Sequence, residues 1–155
     1  MSEYCVQGVA AGYLHSAIHT DQGKLFSWGH NPDCRLMKKI EYYKGSGRSK
    51  NFANPQYCQP LENADIIQVS CGTSHTLALD SCGYIYAAGS SDLGQLGVID
   101  YHFIPDKCER PYITMPGFTI ADPAIKVCAG DGFSIALDSH GQVFSCGKGN
   151  FGRLG

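Results

Sequence analysis

Residues Cys71–Gly97 read CGTSHTLALDSCGYIYAAGSSDLGQLG and contain the pattern that indicates the fold. Segments of small, branched and aromatic residues alternate in it with glycine-centred turns, which is typical of short β-strands. The same pattern runs from Ala11 to Met37 and again from Ala129 to Gly155, and the three copies align without gaps. Successive copies begin 60 and 58 residues apart. We therefore interpret the chain as a tandem repeat.

Each copy predicts a set of antiparallel strands. Ile67–Val69 alternates in polarity and opens a unit, and Thr76–Leu79 forms the next strand. A turn follows, in which Asp80 binds its own backbone and Gly83 takes a positive φ. Three or four short strands in a unit of this length predict a β-propeller blade. The predicted fold class is therefore all-β, with blades that must stack because a lone blade cannot bury both faces.

Outer strands are less evident than the inner ones. We expect them to begin at Pro60–Leu61 and at residues 111–113, because proline is tolerated at the first position of an edge strand. Helical repeats are excluded, since the sequence has no 3.6-residue apolar period. A β-sandwich would supply strands but not the self-similarity of the three copies.

The segments Gly89–Gly97 and Gly147–Gly155 share the pattern G-x-x-x-x-G-x-L-G. Together with the upstream pattern C/A-G-x-x-H-S/T-x-A-L, this resembles the signature of the regulator of chromosome condensation repeat. The resemblance implies a seven-bladed propeller, and seven such units need roughly 400 residues. The chain supplies about two and a half units, so we expect the remaining blades to come from a longer chain or from other subunits.

We divide the chain into three repeats. Residues 9–60 form a divergent first repeat with a basic loop at 38–54, residues 61–118 the second, and residues 119–155 a truncated third. Cys34 and Met37 replace two motif glycines of the first repeat, so we expect an altered turn there. The glycines to which we assign a structural role in the repeat are Gly12, Gly23, Gly29, Gly72, Gly83, Gly89, Gly94, Gly97, Gly130, Gly141, Gly147 and Gly152.

The composition excludes several classes of protein. The net charge of −2 gives no general attraction to nucleic acid or acidic lipid. Eight cysteines are scattered without a C-x-x-C pair, and no signal sequence or membrane-spanning apolar run is present. We therefore expect mostly reduced cysteines, a cytoplasmic or nuclear location, and neither a membrane association nor a metal or other cofactor.

Two histidines are candidates for partner binding. His15 and His75 occupy the same repeat position, which Phe133 takes in the third copy. In the exchange factor that names the family, charged and histidine residues on one propeller face contact the small GTPase Ran, so the resemblance implies that these two could line such a face. The alternative, which fits their recurrence better, is that they form hydrogen bonds between blades.

Charged residues supply the other candidate contacts. Asp131 is a loop residue that could contact a partner. The composition of the basic loop favours a solvated insertion, and the alternative is a contact surface for an acidic partner or a phosphate backbone. Its candidate contacts are Lys38, Lys39, Lys44 and Arg48.

The sequence contains no convincing catalytic set, and we predict a non-catalytic protein–protein interaction module. The first alternative is a guanine-nucleotide exchange factor for a Ran-like small GTPase. The second is a regulatory propeller attached to a ubiquitin ligase or a kinase. Chromatin is not favoured as a partner, because the named exchange factor uses a basic N-terminal tail and residues 1–12 contain neither Lys nor Arg.

Overall fold

The fold is all-β and consists of three antiparallel sheets. It is seen in a computed structural model that describes residues 4–38, 41, 43–46, 48–97, 113–114 and 122–155. Within each sheet, strands that follow one another in the described sequence are hydrogen-bonded neighbours. Each sheet is a meander of the kind that forms a propeller blade, as the repeat spacing predicts.

The strands fall into three sheets that follow the three sequence copies. The first sheet contains β1 (Val6–Ala11), β2 (His15–Thr20), β3 (Leu25–His30) and β4 (Asn51–Tyr57). The second contains β5 (Ile66–Cys71), β6 (His75–Asp80), β7 (Ile85–Gly89) and β8 (Ile113–Thr114). The third contains β9 (Ala124–Ala129), β10 (Phe133–Asp138) and β11 (Val143–Gly147). Short 3-10 helices span Gln59–Leu61 and Asn150–Gly152.

The outer strand of the first blade differs from the expectation. Pro60–Leu61 does not begin a strand but lies in a 3-10 helix, with proline in the first turn. The outer strand is β4, which pairs with β3 from His30–Asn51 to Phe26–Tyr57. The basic loop therefore ends at residue 50 and not at 54. Of the other expected outer strand, residues 111 and 112 lie outside the described residues, and residues 113–114 form β8.

The hydrophobic cores lie between the blades. Leu25 and Met37 of the first blade pack with Val69 of the second, and a separate core joins Leu77 of the second blade to Val127 of the third. As a result, every residue of β6 in the middle blade is buried, whereas burial alternates along β10. A strand buried on both faces shows that blade stacking supplies the core.

The tight turns of the second and third blades form as predicted. The Asp80 Oδ1 atom accepts hydrogen bonds from the backbone N–H groups of Cys82 and Tyr84, at 3.0 and 2.8 Å. Gly83 completes this turn with a φ of 87°. Asp138 makes the corresponding bonds one repeat later, at 2.9 and 2.8 Å. These aspartates are therefore turn residues rather than acid–base catalysts.

The turn expected to be altered in the first repeat is in fact preserved. Cys34 and Met37 have φ values of 64° and 52°, close to the 76° and 70° of their counterparts Gly94 and Gly97. The left-handed conformation costs an L-residue roughly 1–2 kcal/mol. Both side chains are buried, at 3% and 0% exposure, so their packing offsets this cost. The backbone N–H of Met37 donates to the Cys34 carbonyl as it does between the two glycines.

Candidate functional site

The two ends of the blades differ in what they expose. At one end, which we call the turn face, the β2–β3, β6–β7 and β10–β11 connections are tight turns. The other end, which we call the loop face, carries residues 12–14, 72–74 and 130–132 and the connection that leads to β4. The loop faces of neighbouring blades lie side by side, and so do their turn faces. The backbone N–H of Thr73 donates to the Gly130 carbonyl on the loop face, and that of Ile66 donates to the Gly23 carbonyl on the turn face.

The basic loop forms a hairpin on the loop face. The backbone N–H of Lys50 donates to the Glu41 carbonyl at 2.6 Å, and that of Tyr43 donates to the Arg48 carbonyl at 2.9 Å. The Ser46 hydroxyl closes the tip by donating to the Tyr43 carbonyl at 3.0 Å. These bonds give a defined shape to residues 41, 43–46 and 48–50, which we call the basic hairpin.

The charges of the basic hairpin are only partly paired. Glu41 lies 3.2 Å from the Lys50 ammonium and 3.6 Å from that of Lys38, and the hydrogen bond from Lys50 lowers the pKa of its carboxyl. Lys44 and Arg48 are exposed. Within the part of the chain that the structure describes, neither has an ion-pair partner. Lys39 lies outside the described residues.

The structure places the two candidate histidines between blades. His15 is 4% exposed and His75 is 0% exposed. The Nε2 atom of His15 lies 2.7 Å from the Thr76 hydroxyl in the next blade, and that of His75 lies 2.9 Å from the Ser134 hydroxyl. Side chains buried in this way present no surface to a partner. Of the two roles considered, the geometry therefore supports the hydrogen bond between blades.

The hydroxyl groups determine the protonation of both rings. The Thr76 hydroxyl donates its single hydrogen to the Arg35 carbonyl at 2.7 Å, and the Ser134 hydroxyl donates to the Gln95 carbonyl at 2.7 Å. Each hydroxyl must therefore accept from the imidazole, which is neutral and carries its hydrogen on Nε2. Burial lowers the pKa of His15 and of His75 to about 4.

Asp131 lies in the third blade on the loop face and is exposed. Its carboxylate binds Lys148 at 3.0 Å and lies 3.6 Å from Arg153. It also accepts a hydrogen bond from the Thr73 hydroxyl of the second blade at 3.0 Å. The hydrogen bond from Lys148 is the main cause of the lowered pKa of this carboxyl. Its charge is thus balanced within the molecule.

The cysteines differ in burial and in bonding. Free thiols occur at Cys5, Cys58, Cys71, Cys82, Cys128 and Cys146. Cys34, by contrast, is disulfide-bonded, which departs from the expected reduced state. Burial raises the pKa of Cys58 to about 11 and that of Cys71 to about 12. These two thiols are therefore protonated and unreactive at neutral pH.

Among the described residues, no group of three or more His, Cys, Asp or Glu side chains could hold a metal ion. No helix in that part of the chain is long and apolar enough to cross a membrane.

Sequence reasoning missed an open cleft beside the first blade. The cleft has a volume of about 480 Å3 and is lined in part by Leu14, Trp28 and Phe52. Trp28 is half-buried, although a fully buried aromatic is the usual expectation for a strand residue. An alignment of the repeats marks Trp28 as unusual, because the other copies have alanine and cysteine at this position.

The repeated sheets and the hydrogen bonds between them agree with a match to a known repeat family. A model described as the regulator of chromosome condensation (RCC1) repeat matches residues 6–33, 66–95 and 124–153, and a second model with that description matches residues 22–79. The chain belongs to this repeat family. Its three sheets correspond to part of the family's seven-bladed propeller.

Several relatives contain a similar region. Human protein RCC2 is 32% identical over 142 residues, which are 91% of this chain and 24% of that protein. The human E3 ubiquitin-protein ligase HERC2 is 33% identical over 159 residues, 100% of this chain and 3% of that protein. The mouse secretion-regulating guanine nucleotide exchange factor is 33% identical over 145 residues, 94% of this chain and 28% of that protein. The chain thus spans less than a third of each of these relatives.

A solved structure shows the same fold. Prp20p from Saccharomyces cerevisiae aligns with a TM-score of 0.69 and 23% identity, over 96% of this chain and 34% of that chain. At this level of identity the likeness concerns the fold alone.

Proposed function

We propose that this propeller region is a non-catalytic module for protein–protein interaction, and that the basic hairpin on its loop face contacts an acidic protein partner. The observation that carries the proposal is the exposure of Lys44 and Arg48 on a defined hairpin. Surface-exposed loops on a rigid β scaffold are where propellers place their recognition residues.

The distribution of charge supports an acidic partner. Residues 38–50 contain five basic side chains and one acidic side chain, whereas the whole chain has a net charge of −2. An acidic protein is therefore attracted to the hairpin and repelled by the rest of the chain, which orients its approach.

The attachment of the hairpin supports a preformed contact surface. Lys38, at its base, places its ammonium 4.3 Å from the centre of the Phe52 ring in β4. It also donates to the Gln56 side chain at 3.3 Å. Because both ends of the hairpin are anchored on strands of the first blade, a partner meets Lys44 and Arg48 at little cost in conformational entropy.

The position of the reactive side chains supports a non-catalytic role. His15 and His75, which could act as acid–base groups, are buried in hydrogen bonds between blades. The thiols of Cys58 and Cys71 are buried and have raised pKa values. Asp80 and Asp138 bind their own turns.

A charge-reversal experiment tests the contact. We expect the double substitution Lys44→Glu, Arg48→Glu to weaken partner binding by about tenfold, since each reversed charge at an interface rim costs about 1 kcal/mol or less. The partner is captured from a lysate with the purified protein, identified by mass spectrometry, and its affinity is then measured with purified components.

The matched control is Lys24→Glu, Lys126→Glu, which makes the same change in net charge away from the loop face. Lys24 lies on the turn face and Lys126 on the exposed side of β9. Equal losses of affinity in the two double variants would show that net charge matters and the hairpin does not, which would contradict the proposal.

A second candidate function is nucleotide exchange on a Ran-like small GTPase. It is favoured by the likeness to the mouse secretion-regulating guanine nucleotide exchange factor. An exchange factor binds the nucleotide-free GTPase better than the loaded one. Capture under nucleotide-depleting conditions therefore distinguishes the candidates: a GTPase that is enriched and then released by GTP supports exchange, and a partner unaffected by GTP supports the interaction module.

A third candidate is a regulatory propeller attached to an enzyme. Its support is the likeness to HERC2, in which the matched region is 3% of a ubiquitin ligase. In that case the acidic segment that the hairpin binds would lie on the enzyme domain or on its substrate.

A further inference from the structure

The tip of the basic hairpin carries an exposed serine between two basic residues. Ser46 has Lys44 two positions before it and Arg48 two positions after it. All three side chains are exposed to solvent. The contact proposed above involves only the two charges and gives no task to the hydroxyl group between them.

The pattern of charge around this serine is rare in the chain. Ser46 and Ser49 are the only serine or threonine residues with Lys or Arg within two positions on both sides. Protein kinases select their substrates largely by the charges that flank the acceptor hydroxyl. A kinase with an acidic substrate groove is therefore attracted to this segment, although the whole chain has a net charge of −2.

The structure distinguishes the two serines. Ser49 is half-buried next to the start of β4, whereas Ser46 is exposed at the tip of the hairpin. The space around the tip is open, because a Cβ atom added to the neighbouring Gly45 would meet nothing within 4 Å. Enzymes that act on a folded chain gain access most readily at exposed loop tips with small residues. Ser46 is thus the accessible acceptor.

The present hydrogen bonds of the Ser46 hydroxyl do not prevent its reaction. The hydroxyl donates to the Tyr43 carbonyl at 3.0 Å and accepts from the backbone N–H of Arg48 at 3.2 Å. Both bonds are exposed, so water can replace them at little cost. The backbone bonds from Tyr43 to Arg48 and from Lys50 to Glu41 hold the hairpin independently of the hydroxyl.

We propose that Ser46 is a phosphorylation site for a serine/threonine protein kinase that selects basic residues on both sides of its acceptor. The Ser46 Oγ atom attacks the γ-phosphorus of ATP, the bond from that phosphorus to the bridging oxygen breaks, and ADP leaves. The hydroxyl proton passes to a carboxylate base of the kinase. The product carries a charge of about −1.5 to −2 and three acceptor oxygens at the tip.

The phosphate also weakens the contact with the acidic partner, a consequence that rests on the function proposed above. Lys44 and Arg48 have no ion-pair partner among the described residues, so both can bind a phosphate that lies between them. Residues 38–50 contain five basic side chains and one acidic side chain, a net charge of +4. Phosphorylation removes about half of this charge, and it does so at the two exposed cations.

Phosphorylation of the purified full chain tests the site. The protein is incubated with ATP and a purified serine/threonine kinase that selects Lys or Arg on both sides of its acceptor, and the modified residue is located by tandem mass spectrometry. We expect the phosphate on Ser46. The substitution Ser46→Ala should abolish the modification, and Ser49→Ala should leave its rate unchanged.

The contribution of the flanking charges is tested by neutralising them. We expect Lys44→Ala, Arg48→Ala to slow phosphorylation by about tenfold, the loss that two exposed charge contacts can produce. The matched control is Lys24→Ala, Lys126→Ala, which removes two charges away from the hairpin and should leave the rate unchanged. Phosphate on Ser49 in place of Ser46, no phosphate on either serine, or equal rates in the two double variants would overturn the proposal.

The effect on binding is measured with the partner captured from the lysate. We expect the phosphorylated protein to bind this partner about tenfold more weakly than the unmodified protein. Kinase-treated Ser46→Ala should bind as the unmodified protein does. Equal affinities of the phosphorylated and unmodified proteins would overturn the regulatory part of the proposal.

The two proposals fail in different experiments. If Lys44→Glu, Arg48→Glu left partner binding unchanged, the contact at the hairpin would be wrong. The kinase reaction requires no partner, so it decides the assignment of Ser46 in either case.

Discussion

The substitution Gly72→Ala is expected to lower the free energy of unfolding by about 2–3 kcal/mol, the upper part of the range of about 1–3 kcal/mol for overpacking at a tight contact. A Cβ atom at this position would lie 2.5 Å from the Gly130 carbonyl oxygen of the next blade and 2.5 Å from the His75 ring. The carbonyl oxygen belongs to the backbone and cannot turn aside, so the two blades must separate. Chemical denaturation monitored by circular dichroism measures the effect.

The control for this prediction is Gly149→Ala. Gly149 is exposed, and an added Cβ would come no closer than 3.4 Å to the nearest side chain, that of Leu154. We expect a change in the free energy of unfolding within about 0.5 kcal/mol. Unfolding of Gly72→Ala at the same denaturant concentration as the unsubstituted protein would contradict the close contact between the blades at this glycine.

Acidification from neutral pH to about pH 4 is expected to destabilise the protein by several kcal/mol. The pKa values of His15 and His75 fall from 6.5 to about 4 on folding, so the unfolded chain binds protons that the folded chain does not. The stability that the two neutral histidines contribute is fully present above pH 6.5, and it is lost as the pH falls toward their folded-state pKa values. Each pKa unit corresponds to about 1.4 kcal/mol, so each histidine contributes up to about 3 kcal/mol.

The variant His75→Gln separates the two histidines. The glutamine amide can donate to Ser134 in place of Nε2, but it does not titrate. We expect this variant to lose a substantial part of the pH dependence between pH 6.5 and about pH 4, measured as midpoints of thermal unfolding. His15 and His19, whose pKa values burial also lowers, account for the remaining histidine contribution. A midpoint that stays constant over this range in the unsubstituted protein would contradict the assignment of buried, neutral imidazoles.

The fold could be predicted from the sequence because the same pattern of strands and turns occurs three times. The three aligned copies fix the strands, and Asp80 and Asp138 mark turns that the structure contains. The first repeat was harder to predict. The left-handed backbone at Met37 is held by packing against the second blade, and residue type alone does not reveal such a contact.

The candidate site could be predicted only in part. The basic segment was evident from its composition, but the pairing of Glu41 with Lys38 and Lys50 depends on the hairpin geometry. The burial of His15 and His75 could not be predicted, because a recurring histidine is compatible with a position on the surface or in an interface. Their burial against Thr76 and Ser134 follows from blade stacking, which no single repeat encodes.

The repeat glycines are required for two different physical reasons, and only one of them could be predicted from the sequence. A positive φ at Gly83 could be predicted from its turn. Gly72 is required for a different reason, its contact with the next blade, and that contact joins residues of two repeats.

We propose that this propeller region binds its partner at the basic hairpin of the loop face. Hydrogen–deuterium exchange of the complex with the captured partner tests it most directly. We expect the partner to slow backbone exchange in residues 41–50 and to leave exchange in the turns at residues 81–84 and 139–142 unchanged. Protection of those turns with no change in the hairpin would contradict it.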